Sequence, residues 1–325
     1  MAFAVRRCEN LEEWDEFVRS SPDGSIFNLS VYLRLFDALA FEPWIVWEGA
    51  NALLGLVVVK NADGTPRDRG YPWVRPEVLR GAAAASGARH TRVKENLEAF
   101  AALLAELRGR YDAIRLRTAP GIDDVRALLW FNHDTPEEGQ FRVSVRYTGL
   151  IDLKSAPSFD DYLARVRPAR RRQNRLAAKA GLAIERSTDI DVLDELHRLT
   201  FERQGIERDA LEVSLLNRIA AAAVDRDFGD IYVARLANGE PASATLFLRD
   251  ARRGHYLAGA NHPAHRGTYS GTLCFTESLR GCYDRGLSEV DVCGINSPNR
   301  GDFKVSYDAE PRAYFEALWQ RPSTR

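Results

Sequence analysis

The feature that most narrows the fold of this chain is a repeat of order rather than of residues. From residue 3 to 153, hydrophobic periodicity reads strand, two helices, two hairpin strands, helix, strand, short helix, strand. From about residue 182 to 319 that order returns, with one more strand after the hairpin. Strands separated by helical patterns belong to an α/β sheet covered by helices. Two such sets predict a duplicated domain, and 325 residues suffice for two hydrophobic cores. The expected division is 1–153 and 154–325, and it rests on element order alone, since no residue-level repeat accompanies it.

Within the first set the pattern predicts a helix over 11–20 capped by Asn10, a helix over 30–39, and strands over 44–47 and 52–60 closed by the Asp63-Gly64 turn. A helix over 91–108 follows, with Leu97, Phe100, Leu103, Leu104 and Leu107 at core spacing, then a strand over 113–117, a short helix over 123–131 and a strand over 142–153. The second set opens on a linking helix over 158–179, which Pro168 is expected to split.

A formal net charge of −1 excludes whole-molecule attraction to nucleic acid or to anionic lipid, so any such partner needs a local basic patch. Four cysteines, Cys8, Cys274, Cys282 and Cys293, lie far apart with no C-x-x-C pair, which predicts reduced thiols in a cytosolic protein. The first residues lack the apolar run of a secretory signal, and no stretch approaches the length of a membrane span.

The basic patch is in the linking helix. Arg167, Arg171, Arg175 and Lys179 recur at four-residue spacing on one face, and no acidic residue occurs between Asp161 and Glu185. Unrelieved like charge on a helix calls for solvation, distant carboxylates or bound phosphates. A second candidate follows the strand that begins near His255: Arg266, Gly267, Ser270 and Gly271 sit in a loop before a helix, where exposed N–H groups form an anion site. His262 and His265 form an H-x-x-H pair, but Pro263 interrupts it and no third ligand is near in sequence, so no metal site is expected. Neither H-E-x-x-H nor G-x-S-x-G occurs.

The third candidate is DVCGINSPNRGDFKVSYDAEP, residues 291–311. It follows the late strand of the second set, at the sheet end where α/β proteins bind ligands. Asn296 supplies turn chemistry, and Phe303 and Tyr307 can confine Lys304 so that its charge serves a developing oxyanion or a phosphate.

Three runs, RPARRRQNRLAAKAGLAIE, YLAGANHPAHRG and DVCGINSPNRGDFKVSYDAEP, resemble the second domain of the FemAB/FemX-like aminoacyltransferases, a branch of the GNAT superfamily with two tandem GNAT domains. The resemblance implies an α/β (α+β) fold of two tandem GNAT-like domains, each a mixed central sheet flanked by helices. It implies transfer of an aminoacyl group from aminoacyl-tRNA, a donor substrate rather than a cofactor, to an amine on a peptidoglycan precursor or small metabolite. The family's F-K lysine maps onto Lys304. Substrate binding is expected from Phe303, Asn296, Tyr307, Tyr256 and Asn261, and phosphate or RNA binding from Arg266, Gly267, Ser270, Gly271, Arg167, Arg171, Arg175 and Lys179. Two alternatives remain: acyl-CoA as donor, which the glycine spacing of RGTYSG disfavours, and a catalytically silent binding module. The chain departs from the muropeptide-binding pattern at LSVYLRLFD, residues 29–37, which lacks that pattern's Gln, Trp and Lys.

Overall fold

A computed structural model describes residues 3–85 and 88–322. The chain divides into two compact units, Met1–Arg146 with Ala313–Arg325, and Tyr147–Arg312. The expected division at 153/154 left the C-terminal residues with the second half. They group instead with the first unit because Glu316–Gln320 pair antiparallel with Arg117–Ala113.

The first unit contains β1 (Ala4–Arg7), α1 (Leu11–Ser20), the single turn α2 (Ser30–Leu33), β2 (Leu39–Glu48), β3 (Asn51–Asn61), β4 (Glu77–Arg80), α3 (Arg89–Arg110), β5 (Ala113–Thr118) and α4 (Arg126–Leu129). The chain leaves it through β6 (Arg142–Asp152). The second unit contains α5 (Phe159–Arg165), α6 (Pro168–Lys179), β7 (Ala183–Ser187), α7 (Ile190–Arg203), α8 (Ala210–Asp225), β8 (Gly229–Arg235), β9 (Pro241–Arg249), β10 (Arg253–Asn261), α9 (Ser270–Asp284), β11 (Glu289–Asp291) and α10 (Pro298–Val305). The chain then returns through β12 (Glu310–Gln320).

The duplication holds strand by strand. In the first unit β1, β2, β3 and β4 are antiparallel neighbours, β4 and β5 are parallel, and β5 meets β12 antiparallel. In the second unit β7, β8, β9 and β10 are antiparallel neighbours, β10 and β11 are parallel, and β11 meets β6 antiparallel.

Local chemistry sets the helix ends. Asn10, Ser158, Asp189 and Asp209 each accept a backbone N–H from the first turn that follows, as N-cap residues do. Pro168 splits the linking helix as expected and becomes the first residue of α6, where its missing N–H costs nothing. The helix expected over 30–39 stops after one turn: Leu35 and Phe36 turn into the core, and β2 begins at Leu39. In α3 the expected apolar face is buried, with Leu103, Leu104 and Leu107 fully enclosed among Trp44, Ile114 and Trp319. A core of the second unit is built from Phe275, Leu279, Val290, Tyr162 and Tyr307.

Candidate active site

β10 and β11 run parallel but pair over three residues only, Arg253–His255 with Glu289–Asp291. β11 then turns away, while β10 continues to Asn261 along β9 through a bulge between Tyr256 and Ala258 that bends it. Parallel strands that part at their C-terminal ends open a crevice where α/β sheets hold ligands.

The root of the crevice is a buried charge cluster. His255, 1% exposed, meets Asp250 through Nε2 at 2.9 Å, and its Nδ1 lies 3.8 Å from Asp291. Burial alone would strip the imidazole of its proton. The hydrogen bond to Asp250, with Asp291 and Cys293 close by, outweighs that and pushes its pKa up to about 10, so it is an imidazolium at neutral pH. Beside it, Arg253 Nε donates to Glu289 at 2.7 Å.

Asp291 also shapes the loop that follows. Its carboxylate accepts the Thr148 hydroxyl and, at 2.7 Å, the N–H of Cys293, while the Gly294 N–H donates to Thr148 Oγ1 at 3.0 Å. Cys293 and Gly294 both take left-handed backbone, with φ of 57° and 95°, and the second of these suits only glycine well. This turn aims the Gly294 carbonyl back at α10, where it accepts Lys304 Nζ at 2.8 Å. The same ammonium stands 5.3 Å from the centre of the Tyr256 ring. Lys304, half-buried, thus bridges β10 and the loop after β11 at the place where the two strands part.

The other expected residues divide into those near this mouth and those that support it. Tyr256 lies on the bulged segment of β10. Asn261 closes β10 with its backbone tied to the Thr200 hydroxyl, and its amide lies over the start of α9, where any side chain at Gly271 would strike its Oδ1. Asn296 has both ends of its amide engaged, by the N–H of Tyr147 at 2.8 Å and its carbonyl at 2.9 Å, so it fixes the loop. Tyr307, expected at the substrate, is fully buried: its hydroxyl donates to the Thr272 carbonyl at 3.0 Å and its carbonyl receives Tyr162, because the turn after α10 carries it under the sheet. Phe303 is half-buried between Phe275, Tyr307 and the Arg170 guanidinium and seats α10 against its neighbours.

In the glycine loop, Arg266 is exposed and Gly267 faces open space. Ser270 is 1% exposed, with its hydroxyl turned inward toward the Ala242 carbonyl, so only its backbone belongs to the loop surface. α9 starts after Tyr269 in left-handed conformation with no side-chain cap. Along α6, Arg167 pairs with Asp302 at 3.0 Å, whereas Arg171, Arg175 and Lys179 are exposed and form no ion pair among the described residues.

Sequence reasoning missed Gly294, the Asp250–His255–Asp291 cluster and Thr148, which come together only through strand register. It also missed a partner for the histidine pair. Pro263–Thr268 form a 3₁₀ turn whose three-residue period stacks His262 on His265, and Glu240 from the β8–β9 turn meets His265 Nε2 at 2.9 Å. His262 Nδ1 accepts the Ala264 N–H at 3.3 Å, so the cluster braces the loop against the hairpin.

Residues 164–307 match the acetyltransferase (GNAT) domain family. That stretch is a GNAT acyltransferase domain, and it lies within the second unit. A crystal structure of FemX is similar over 97% of this chain and 97% of its own, with a TM-score of 0.71 and 14% identity. A tandem GNAT protein from the clavulanic acid biosynthesis pathway is similar over 99% and 100%, with a TM-score of 0.53 and 14% identity. The C-terminal domain of a lysylphosphatidylglycerol synthetase from Agrobacterium fabrum is similar over 95% and 91%, with a TM-score of 0.52 and 12% identity. At these identities the likeness is one of fold, and in fold the chain matches FemX and the tandem GNAT protein over nearly its whole length. No curated protein matches it in sequence. Among the described residues no helix is long and apolar enough to cross a membrane.

Proposed function

We propose that the chain transfers an aminoacyl group from aminoacyl-tRNA to an amine acceptor, with the acyl carbonyl held where β10 and β11 part. The observation that carries this reading is the position of Lys304, a half-buried ammonium held between Tyr256 and the Gly294 carbonyl at the mouth of that crevice. The amine attacks the ester carbonyl, the charge that develops on its oxygen is met by Lys304, and collapse breaks the bond to the ribose oxygen, which leaves as a hydroxyl by taking up, through solvent, the proton the amine gives up. An α-amino group with a reference pKa near 8 is partly neutral at physiological pH, so it needs little activation.

The free cationic face of Arg171, Arg175 and Lys179 supports an RNA-borne donor. The FemX likeness supports a peptidoglycan-precursor amine among the acceptors, and a small metabolite amine fits the same chemistry. Acyl-CoA is the second reading, supported by the uncapped start of α9 beside Arg266, where backbone N–H groups can receive a pyrophosphate.

The test is a transfer assay with charged tRNA and, separately, acetyl-CoA, against a panel of amines. With the true donor, Lys304→Ala is expected to lower kcat by about 100- to 1,000-fold. Wild-type turnover in that variant removes the lysine from the chemistry. Arg171→Glu with Arg175→Glu is expected to abolish tRNA retention, and an unchanged salt dependence of tRNA binding returns the donor to acyl-CoA.

A further inference from the structure

The first unit carries a cavity that acyl transfer at Lys304 does not use. β4 pairs with β5 only at Glu77 and Val78, opposite Arg117 and Thr118, so the earlier half of β5 has no strand on that side. Residues 67–76, on the way from β3 to β4, cover the gap and leave a cavity of about 190 Å³. Val59 and Val74 are among the residues that line it.

Its walls are cationic. Alternation along β5 buries Ile114 and Leu116 on one face and puts Arg115 and Arg117 on the other. Arg67 and Arg69 come in from the covering segment, so four guanidinium-bearing residues line one small space. Among the described residues only Arg117 has a carboxylate partner there, Glu77 at 3.1 Å. Arg67 donates to the Asn61 amide oxygen and lies 5.0 Å from the Tyr71 ring centre, and Arg115 reaches only the Asp68 carbonyl at 3.4 Å. Among the described residues, no carboxylate lies within ion-pair distance of Arg67, Arg69 or Arg115. The one carboxylate on the wall, Glu316, is 3.5 Å from Arg146. In addition, the Nε–H groups of Arg67 and Arg117 are buried without an acceptor, so the protein supplies fewer acceptors than these guanidiniums have donors.

Clustered guanidiniums in a partly desolvated space repel one another unless an anion joins them, and their planar forks match the oxygens of phosphate and carboxylate groups. The geometry points to an oxyanion site: the cavity binds a small molecule through a phosphate or carboxylate group held by Arg67, Arg69 and Arg115, with an apolar portion against Val59 and Val74. The site lies wholly within the first unit and is separate from the residues that hold Lys304.

The test is calorimetric titration of the full chain with inorganic phosphate, pyrophosphate and citrate at constant ionic strength, with chloride as control. At least one oxyanion is expected to bind saturably at one equivalent. Phosphate or pyrophosphate alone assigns a phosphorylated ligand, and citrate alone assigns a carboxylate. Arg69→Ala and Arg115→Ala are each expected to weaken binding about tenfold, while Lys304→Ala leaves it unchanged. Arg69 is exposed and makes no ion pair among the described residues, so its variant folds and decides the matter even if Arg115→Ala does not. Failure of all three anions to bind, or equal binding by Arg69→Ala and wild type, overturns the site. Because Lys304 plays no part in it, loss of the acyl-transfer reading would leave this result standing.

Discussion

The two units share one strand topology, yet their parallel pairs are finished differently. In the second unit the pair parts above a buried imidazolium between two aspartates, and a lysine stands in the opening. In the first unit the end of the pair is plugged: Arg80, which closes β4, is gripped by both oxygens of Asp23 at 2.7 Å each, and no side chain takes the part of Lys304 among the described residues. Duplicated backbones therefore supply two places for chemistry, and side chains decide which stays open. The first unit places its unmatched positive charge at the other end of β5 instead.

Four perturbations break or sharpen this contrast. The largest effect is expected from His255→Ala, which leaves Asp250 and Asp291 buried and facing one another and should cost about 3–5 kcal/mol, measured by denaturant unfolding. The same group gives a pH signature. Its folded pKa of about 10 lies above its ordinary value of 6.5, so its contribution is complete below about pH 6.5 and is lost as pH rises toward 10. Wild-type stability should decline across that window and the variant's should not, and a flat wild-type profile would dissolve the cluster as a structural anchor.

Next, Asp23→Asn removes the charge that closes the first unit's strand pair and should cost about 2–3 kcal/mol with no change in transfer rate. A large loss of rate in a fully folded variant would mean that the first unit's strand end shares in the chemistry. Gly294→Ala forces a side chain into left-handed backbone, at about 1–2 kcal/mol, and shifts the carbonyl that holds Lys304. Its effect on rate should exceed its effect on stability, because the strain sits in the loop that aims the lysine. Smallest is Tyr307→Phe, which removes a buried hydrogen bond for about 1 kcal/mol and should leave turnover unaltered. A strong rate defect there would return Tyr307 to the substrate.

Much of the fold was legible because its signals are local. The apolar spacing of α3, the cap at Asn10 and the break at Pro168 each act within one turn of the residue that causes them. The single turn at Ser30 was not, since burial of Leu35 and Phe36 overrides a helical pattern, and β4 was missed because four residues give too short a period. At the candidate site, Lys304 stood out by its place after a late strand. Tyr307 was expected beside Lys304 from a spacing of three residues, but α10 ends at Val305 and the turn after it packs Tyr307 into the core.

By itself the sequence determined the order of strands and helices apart from β4, the basic face of α6 and the lysine beside an aromatic pair, all of which depend on periods of two to four residues. Tertiary structure alone decided that Asp250, His255, Asp291 and Thr148 meet, that a glycine carbonyl holds the lysine, and that four arginines from two segments line one cavity. Those facts depend on strand register and on where parallel pairing stops, and register is settled by packing across the whole sheet rather than by any neighbouring residues.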